Sequence, residues 1–540
     1  TREPNPEGKG GVCLYPGNWV VLGNGEIREI SEYAEEKLKA GEKFRPESNL
    51  TCVLGEDSVL AGDPAKMVYG SEKIATVSKV TEREFICTVK CENGESTVLT
   101  ENTRLPVVGE KGEVELLLPK EIKEGKYYLP VFTTISVDGA LQEIDIIDLY
   151  SKGDFYTRDV FDEFEKMIQE AIENGETLRG IAAKIGISRQ ALNWQRKNKL
   201  VKISMLKELL KNTKIATQAE LNQKIAGIRP ASWSAKAATV PKVCDEDTAY
   251  LAGFLQAEKC VGKARLSVAQ KEEIPFFGEL VQKLFKIKVR KGKTRNQYGE
   301  YNNYIILSKT VTRFFTELFG LKKSKECRVP AIIQRSPENI IAAYVSGYID
   351  GDGSVSEKKI SLAVGMKETA IEFKYLLHRL GINSRIGESP RVFVVNISAR
   401  EDIRKAAQTM KFRVLGKKYG AEKALAKEYS HNARRNIVPA LLLRNFLKGF
   451  NLTTTEKKEH FYHTKYNKNG MSKTYVKQLM ESNRLTNEVA SKISFFLRDD
   501  IEFVKISGVE IIPNTSNIPA YDLTPEKSTY FVGGINNFTL

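Results

Sequence analysis

Two short segments, Leu251-Ala-Gly-Phe-Leu-Gln-Ala-Glu258 and Val345-Ser-Gly-Tyr-Ile-Asp-Gly-Asp352, repeat one pattern: small residues recur four apart on an apolar helix that ends in a carboxylate. Gly253 and Ala257 in the first copy, and Gly347 and Gly351 in the second, share one helical face, so two such helices can pack with their backbones unusually close. That packing would bring Glu258 and Asp352 together at the foot of a helix pair. Two carboxylates with oxygen atoms to spare suit one or two Mg2+ ions, with Mn2+ as a substitute, held against a phosphodiester.

A single copy would read equally well as an ordinary amphipathic core helix with an acid at its solvent end. Two copies whose terminal acids lie 94 residues apart, each entered from a tyrosine (Tyr250, Tyr344), point instead to a duplicated functional unit. The paired segments resemble the motifs of the LAGLIDADG homing endonucleases. The resemblance implies a pseudo-twofold αββαββα domain whose strands form a saddle over DNA. It also implies a monomer that cuts both strands of a long, asymmetric double-stranded site and leaves short 3′ overhangs, with Glu258 and Asp352 as catalytic and metal-binding acids.

Composition agrees and excludes alternatives. At 540 residues the chain exceeds what one core organises, and three to five units of roughly 100 to 200 residues are expected. Lys+Arg of 83 against Asp+Glu of 68 gives a net charge of +15, which favours a polyanionic partner, although many solvated surfaces are as highly charged. The seven cysteines lack paired Cys-x-x-Cys spacing, which argues against a zinc site. No apolar run approaches the ~18 residues that span a bilayer, and no secretory leader opens the chain. A cytoplasmic location with reduced thiols and no membrane partner is therefore expected.

Residues 1–12 hold two prolines and three glycines and read as a tail or a remnant of flanking sequence. From Cys13 the chain takes up hairpin grammar, with a turn at Asn24-Gly25, and β signals continue to Val131. At the far end Val509–Ile512, Tyr521–Thr524 and Tyr530–Gly534 return to short strands, whereas the middle is mostly helical. Such a distribution suggests one β domain interrupted by a large insertion.

These β ends resemble the splicing (Hint) domain of an intein. Cys13-Leu-Tyr-Pro-Gly fits its opening block, Thr100-Glu-Asn-Thr103 its internal block and Tyr521-Asp-Leu-Thr524 its penultimate block. The resemblance implies that Cys13 attacks the preceding carbonyl to form a thioester, with assistance from Asp522, and that host exteins flank the element before excision. Taken alone, Cys13 reads as a buried free thiol. Two features depart from the family. Thr103 stands where the internal block has His, and a hydroxyl cannot replace imidazole as an acid near neutral pH. None of the four histidines (378, 431, 460 and 463) is near a splice block, and the chain closes Gly534-Ile-Asn-Asn-Phe-Thr-Leu540, short of a His-Asn pair. As given, it is expected not to splice.

Within the middle, residues 177–199 carry an apolar face (Leu178, Ile181, Ala182, Ile185), a turn at Gly186 and a second helix capped by Ser188. That is a helix-turn-helix pattern. Arg189, Gln190 and Asn193 are its candidate base readers, with Arg196 and Lys197 on phosphates, and a purely structural helical hairpin is the competing reading. Lys286-Ile-Lys-Val-Arg290 alternates basic and apolar residues at the strand period, and the run from Lys283 through Lys293 to Arg295 holds seven basic residues and no acid. It reads as a phosphate-binding strand or as an edge strand protected by lysine. A further strand signal spans Arg391–Ile397.

Cys327 stands where the endonuclease family carries Lys three residues before proline, here Pro330, so Lys325 or Arg328 is the candidate cation of the cleavage centre. A counterpart near Pro439 offers Arg435, while Gln256 and Lys259 replace the family's Asp and Gly. Near the end of the insertion Ser472 could cap a basic helix bearing Lys473 and Lys477, a second DNA-contacting module or a spacer.

The expected organisation is a multidomain α/β chain: a tail (1–12), the Hint domain's N-terminal part (13–135), a helix-turn-helix module (136–240), the endonuclease (241–435), a helical module (436–498) and the Hint domain's C-terminal part (499–540). The expected function is an intein-encoded, Mg2+-dependent DNA endonuclease. A DNA-binding relic without cleavage and a primarily splicing element are the alternatives.

Overall fold

The computed structural model describes residues 12–47, 49–109, 112–211, 213–231, 236–258, 261–296, 299–322, 327–427, 437–439, 471–473, 476–477, 481, 493–534 and 539. Near the start, Trp19–Val21 and Ile27–Glu29 pair as an antiparallel hairpin in the register Trp19↔Glu29, Val21↔Ile27. The turn between them places Gly25 at φ +89°, a left-handed conformation that glycine adopts without a Cβ clash.

Strands from the two ends of the chain share sheets. Ile501–Pro513 lies between Tyr128–Phe132 and Phe85–Cys91, Ala520–Pro525 pairs with Val68–Val80, and Trp19–Val21 pairs with Gly533–Gly534. Their alternating inward residues, among them Val77, Val89, Val131, Ile506 and Leu523, are buried in the core. Every described cysteine is buried, and none of them forms a disulfide among the described residues.

The helices Phe161–Glu173, Leu178–Lys184 and Arg189–Asn198 follow. Thr177 caps the second by accepting from Gly180 N at 3.1 Å and Ser188 caps the third by accepting from Ala191 N at 3.1 Å, with Gly186 at φ +71° between them. Buried Ile181, Ala182 and Leu192 fix the inward faces.

Two repeats then follow with one topology. The first motif helix (Glu246–Glu258) leads into a four-stranded sheet in which Arg265–Gln270 and Gly299–Leu307 are central, with Val261–Gly262 and Arg290–Asn296 at the edges. The second motif helix (Glu338–Asp352) leads into an equivalent sheet, with Lys359–Val364 and Val392–Ile397 central and Gly353–Ser356 and Arg385–Ser389 at the edges. Two corrections to the sequence reading arise here. Lys286 to Val289 lie outside any strand, since Lys286 is the left-handed cap (φ +55°) of helix Pro275–Phe285, and only Arg290 onward joins the sheet. Lys283, counted in the same basic run, is paired with Asp247 at 2.5 Å.

The motif helices cross in backbone contact. A Cβ at Gly253 would fall on the Tyr344 carbonyl oxygen and lie 2.9 Å from Tyr348 N, and a Cβ at Gly347 would fall on the Tyr250 carbonyl. The second repeat also docks on the β sheets: Tyr375 OH donates to Gly25 O (2.8 Å), Ile27 N to Gln334 Oε1 (2.8 Å), and Lys374 forms a buried ion pair with Glu95.

Gly347→Val must push the helices apart or bend them. Overpacking against backbone should cost about 3 kcal/mol or more, to be read as a lowered thermal midpoint; an unchanged midpoint would mean the helices are not in contact.

Candidate active site at the foot of the motif helices

Because the small residues let the helices touch, their last turns meet. A Cβ at Gly351 would fall on the Ala257 side chain, so the residues preceding the two acids are in contact. Glu258 is half-buried and Asp352 is exposed. Burial pushes Glu258 up to about 7; hydrogen bonds from Gln270 and Ala269 oppose that rise, and the nearby charge of Asp352 adds to it.

The residue two positions before each acid ties its helix to the other. Tyr250 OH donates to Asp350 Oδ2 at 2.6 Å, and Arg413 N donates to the same oxygen at 2.6 Å. In the other half Tyr344 OH donates to Gln256 Oε1 while Gln256 Nε2 donates to Arg328 O at 2.9 Å. A carboxylate offers only acceptors and so meets a backbone N–H, whereas an amide also donates and meets a carbonyl. Gln256, a departure from the family pattern, thus keeps the same cross-helix link.

The sequence reading missed two residues here. Gln270 Nε2 donates to Glu258 Oε1 and approaches Gly351 O at 3.5 Å. Lys417 Nζ donates to Ile349 O at 2.6 Å and Asp350 O at 2.7 Å, beside Asp350, Asp352 and Glu258, and its burial lowers its affinity for a proton. A signal was present: Arg328-Val-Pro-Ala-Ile332 recurs as Arg413-Val-Leu-Gly-Lys417. Phe412 therefore stands opposite Cys327, both buried, and neither can offer a cation. Arg328 is committed to buried Glu372 (2.9 Å), while Lys325, Lys259 and Arg435 lie outside the described residues. The two halves are unequal, since the position twelve residues past each acid is Gln270 in one and buried Val364 in the other.

The donors that Glu258 and Asp352 would offer a metal ion are carboxylate oxygens. No group of three or more His, Cys, Asp or Glu gathers among the described residues, which leaves two carboxylates with all-oxygen chemistry. Mg2+ is commonly held by one or two carboxylates, its remaining positions filled by water and substrate phosphate.

The proposed nucleic-acid contacts divide. Arg189, Gln190, Asn193 and Lys197 are exposed on one face of helix Arg189–Asn198. Arg196 is instead held by Glu165 through Nε (2.9 Å) and Nη2 (2.8 Å), a link between helices rather than a free phosphate contact. Lys473 is buried, donates to Arg498 O (2.5 Å) and Ile501 O (2.7 Å), and has its pKa lowered to about 8 by burial. Lys477 pairs with Asp499 at 3.0 Å, so neither of these two is free as expected.

Lys286, Lys288, Arg290, Lys293 and Arg295 are all exposed, but Lys293 pairs with Glu300 (2.7 Å). By cross-strand register Lys293 and Arg295 share the sheet face of Leu266 and Val268, whereas Arg290 shares the opposite, open face with Arg265. Lys359 and Arg385 hold the equivalent positions in the second sheet, cations the sequence reading did not select.

At the splice blocks Cys13 N donates to Thr103 Oγ1 (3.2 Å), Thr103 Oγ1 donates to Cys13 O (3.2 Å), and the hydroxyls of Thr100 and Thr103 meet at 2.9 Å. Burial, with the charge of Asp522 nearby, pushes the Cys13 thiol up to about 12, so it is protonated at neutral pH. Burial raises Asp522 to about 6, against the hydrogen bond from Thr524.

Since folding raises the Glu258 pKa from 4.5 to about 7, the folded state binds the extra proton, and stability falls as pH rises through that window. In metal-free buffer Glu258→Gln should therefore stabilise the protein at pH 8 by on the order of 1–3 kcal/mol and have little effect near pH 4, measured by denaturant unfolding. A stability loss at pH 8 would contradict the buried placement.

Comparison with known proteins matches the stretch that holds Asp352 to a family model. Residues 339–411 match the model of the LAGLIDADG-like domain. Elongation factor 2 of Methanopyrus kandleri is 22% identical over 547 residues, spanning 98% of this chain and 42% of the relative. An A-type ATP synthase subunit of the same organism is 23% identical over 396 residues, spanning 72% of this chain and 38% of the relative. The chain thus spans less than half the length of these curated relatives. Among solved structures, a set of mesophilic variants of the homing endonuclease I-DmoI is 21% identical, covering 31% of this chain and 90% of that chain at a TM-score of 0.25. The TvoVMA intein is 14% identical, covering 23% and 71% at a TM-score of 0.20. Residues 339–411 of the chain, which include Asp352, carry the LAGLIDADG-like domain.

Proposed function

We propose that the chain is an intein-encoded, site-specific endonuclease that makes double-strand breaks in DNA as a monomer, and that its splicing centre is inactive. The observation that carries the cleavage reading is that Glu258 and Asp352 end helices whose last turns touch, near enough for the charge of Asp352 to raise the pKa of Glu258. Glu258 and Asp352 would hold Mg2+, or Mn2+ in its place, which when bound supplies charge neutralisation at the scissile phosphate and a more acidic water. Gln270 orients the Glu258 carboxylate, and Lys417 offsets the negative charge gathered at the last turn of the second motif helix. Arg265, Arg290, Lys359 and Arg385, paired by the pseudo-twofold, suit phosphates along a duplex laid over the open sheet faces. Helix Arg189–Asn198 suits a neighbouring major groove.

The insertion reading draws support from the relatives themselves. An elongation factor and an ATP synthase subunit share no chemistry, yet each matches this chain over less than half of its own length, as expected of one mobile element set into different hosts. The pairing of the chain's two ends within the same sheets suits a Hint domain interrupted by the endonuclease.

Asp352→Asn should lower double-strand cutting of plasmid carrying the uninterrupted insertion site by at least about 100-fold while leaving gel-shift affinity within about threefold. Undiminished cutting would refute the assignment. A second reading, a DNA-binding relic, is favoured by buried Cys327 at the family's lysine position; a relic shifts that DNA without linearising it.

For splicing, Thr103 Oγ1 accepts from the Cys13 amide, where the family's imidazole would act as an acid. With extein on both sides, the natural sequence should resist thiol-induced cleavage before Cys13, and Thr103→His should raise that cleavage at least tenfold. Efficient cleavage without the substitution would overturn the inactive assignment.

A further inference from the structure

The helix Arg189–Asn198 turns Leu192 and Gln195 inward and presents Arg189, Gln190, Asn193, Trp194 and Lys197 outward. Trp194 is 44% exposed, an unusual cost for the largest apolar side chain. Its neighbours on the face are hydrogen-bonding or cationic, and neither this helix nor Leu178–Lys184 contains an acid. Nearby Glu165 and Glu176 are engaged by Arg196 and Lys184. A protein-binding face would group several apolar residues around such an anchor. One indole set among Arg, Gln, Asn and Lys matches instead the major groove, where acceptors, donors and phosphates surround a single apolar feature, the thymine C5-methyl.

We propose that Trp194 is a specificity-determining residue that packs on a thymine methyl in the major groove of the target duplex. The inference rests on the reading of the chain as a sequence-specific DNA binder and adds the chemical group that one side chain recognises. With Arg189 at one margin of the outward face and Trp194 at the other, the helix would read hydrogen-bonding edges and a methyl on adjacent base pairs.

The test uses the full chain and duplexes it selects from a randomised DNA pool. Thymines in the selected sequence are replaced one at a time by deoxyuridine, which removes the methyl and keeps the base pairing. At one position the replacement should weaken binding about three- to tenfold. Trp194→Ala should weaken binding to the thymine duplex by a similar factor and lose the difference between thymine and uracil there, while Trp194→Phe keeps part of it. Binding that is indifferent to every uracil replacement, or a Trp194→Ala protein that still distinguishes the two bases, would overturn the proposal while leaving DNA recognition standing. A chain that enriches no sequence from the pool overturns the DNA-binding reading and this inference with it.

Discussion

The structure depends on one close approach, the contact of two helix backbones at Gly253 and Gly347. Because neither position carries a Cβ, the tyrosines one helical turn away can reach across to the opposite helix, where they bind Gln256 and Asp350. Those bonds fix the rotation of each helix, and the rotation decides which side of its last turn each acid leaves. With a larger residue at either glycine the helices would separate by the width of a side chain, and Glu258 and Asp352 would face separate volumes of solvent. The chemistry proposed for the site is thus a consequence of hydrogen atoms where other residues carry carbon.

The same crossing builds approximate symmetry, and the departures from it are informative. Each half supplies a helix, a four-stranded sheet and a backbone segment that binds the residue two positions before its acid. Yet Glu258 is half-buried with Gln270 on it, whereas Asp352 is exposed and Val364 stands at the matching place. Lys417 likewise has Ile332 as its counterpart. Among the described residues, the two acids are thus served unequally, with Gln270 on Glu258 alone and Lys417 on the backbone of the second motif helix.

Much of this was legible in the sequence because it follows from spacing along a single element. The four-residue rhythm of small residues, the Asn24-Gly25 turn, the Ser188 cap and the outward face of Arg189–Asn198 are properties of local geometry. What escaped were the side-chain partners that distant segments supply. Arg196 lies in the same run as Lys197 and differs from it only in facing Glu165; Lys473 looks like any surface lysine until two carbonyls, Arg498 O and Ile501 O, enclose it. Within the basic run Arg290 and Lys293 point to opposite sides of one strand, and only the register against Asn302 and Ile305 shows which side is open.

The sequence by itself determined that two helices would pair through small residues, that an acid would end each, and that β segments would open and close the chain, since periodicity and turn chemistry act within a few residues. Tertiary structure alone decided which charges remain available, that Gln270 and Lys417 join the acids, and that Thr103 rests on the Cys13 amide. The reason is physical: the strength and availability of a charge or hydrogen-bonding group depend on what the fold brings within about 3 Å of it and on how much water the fold removes, and neither is written along the chain.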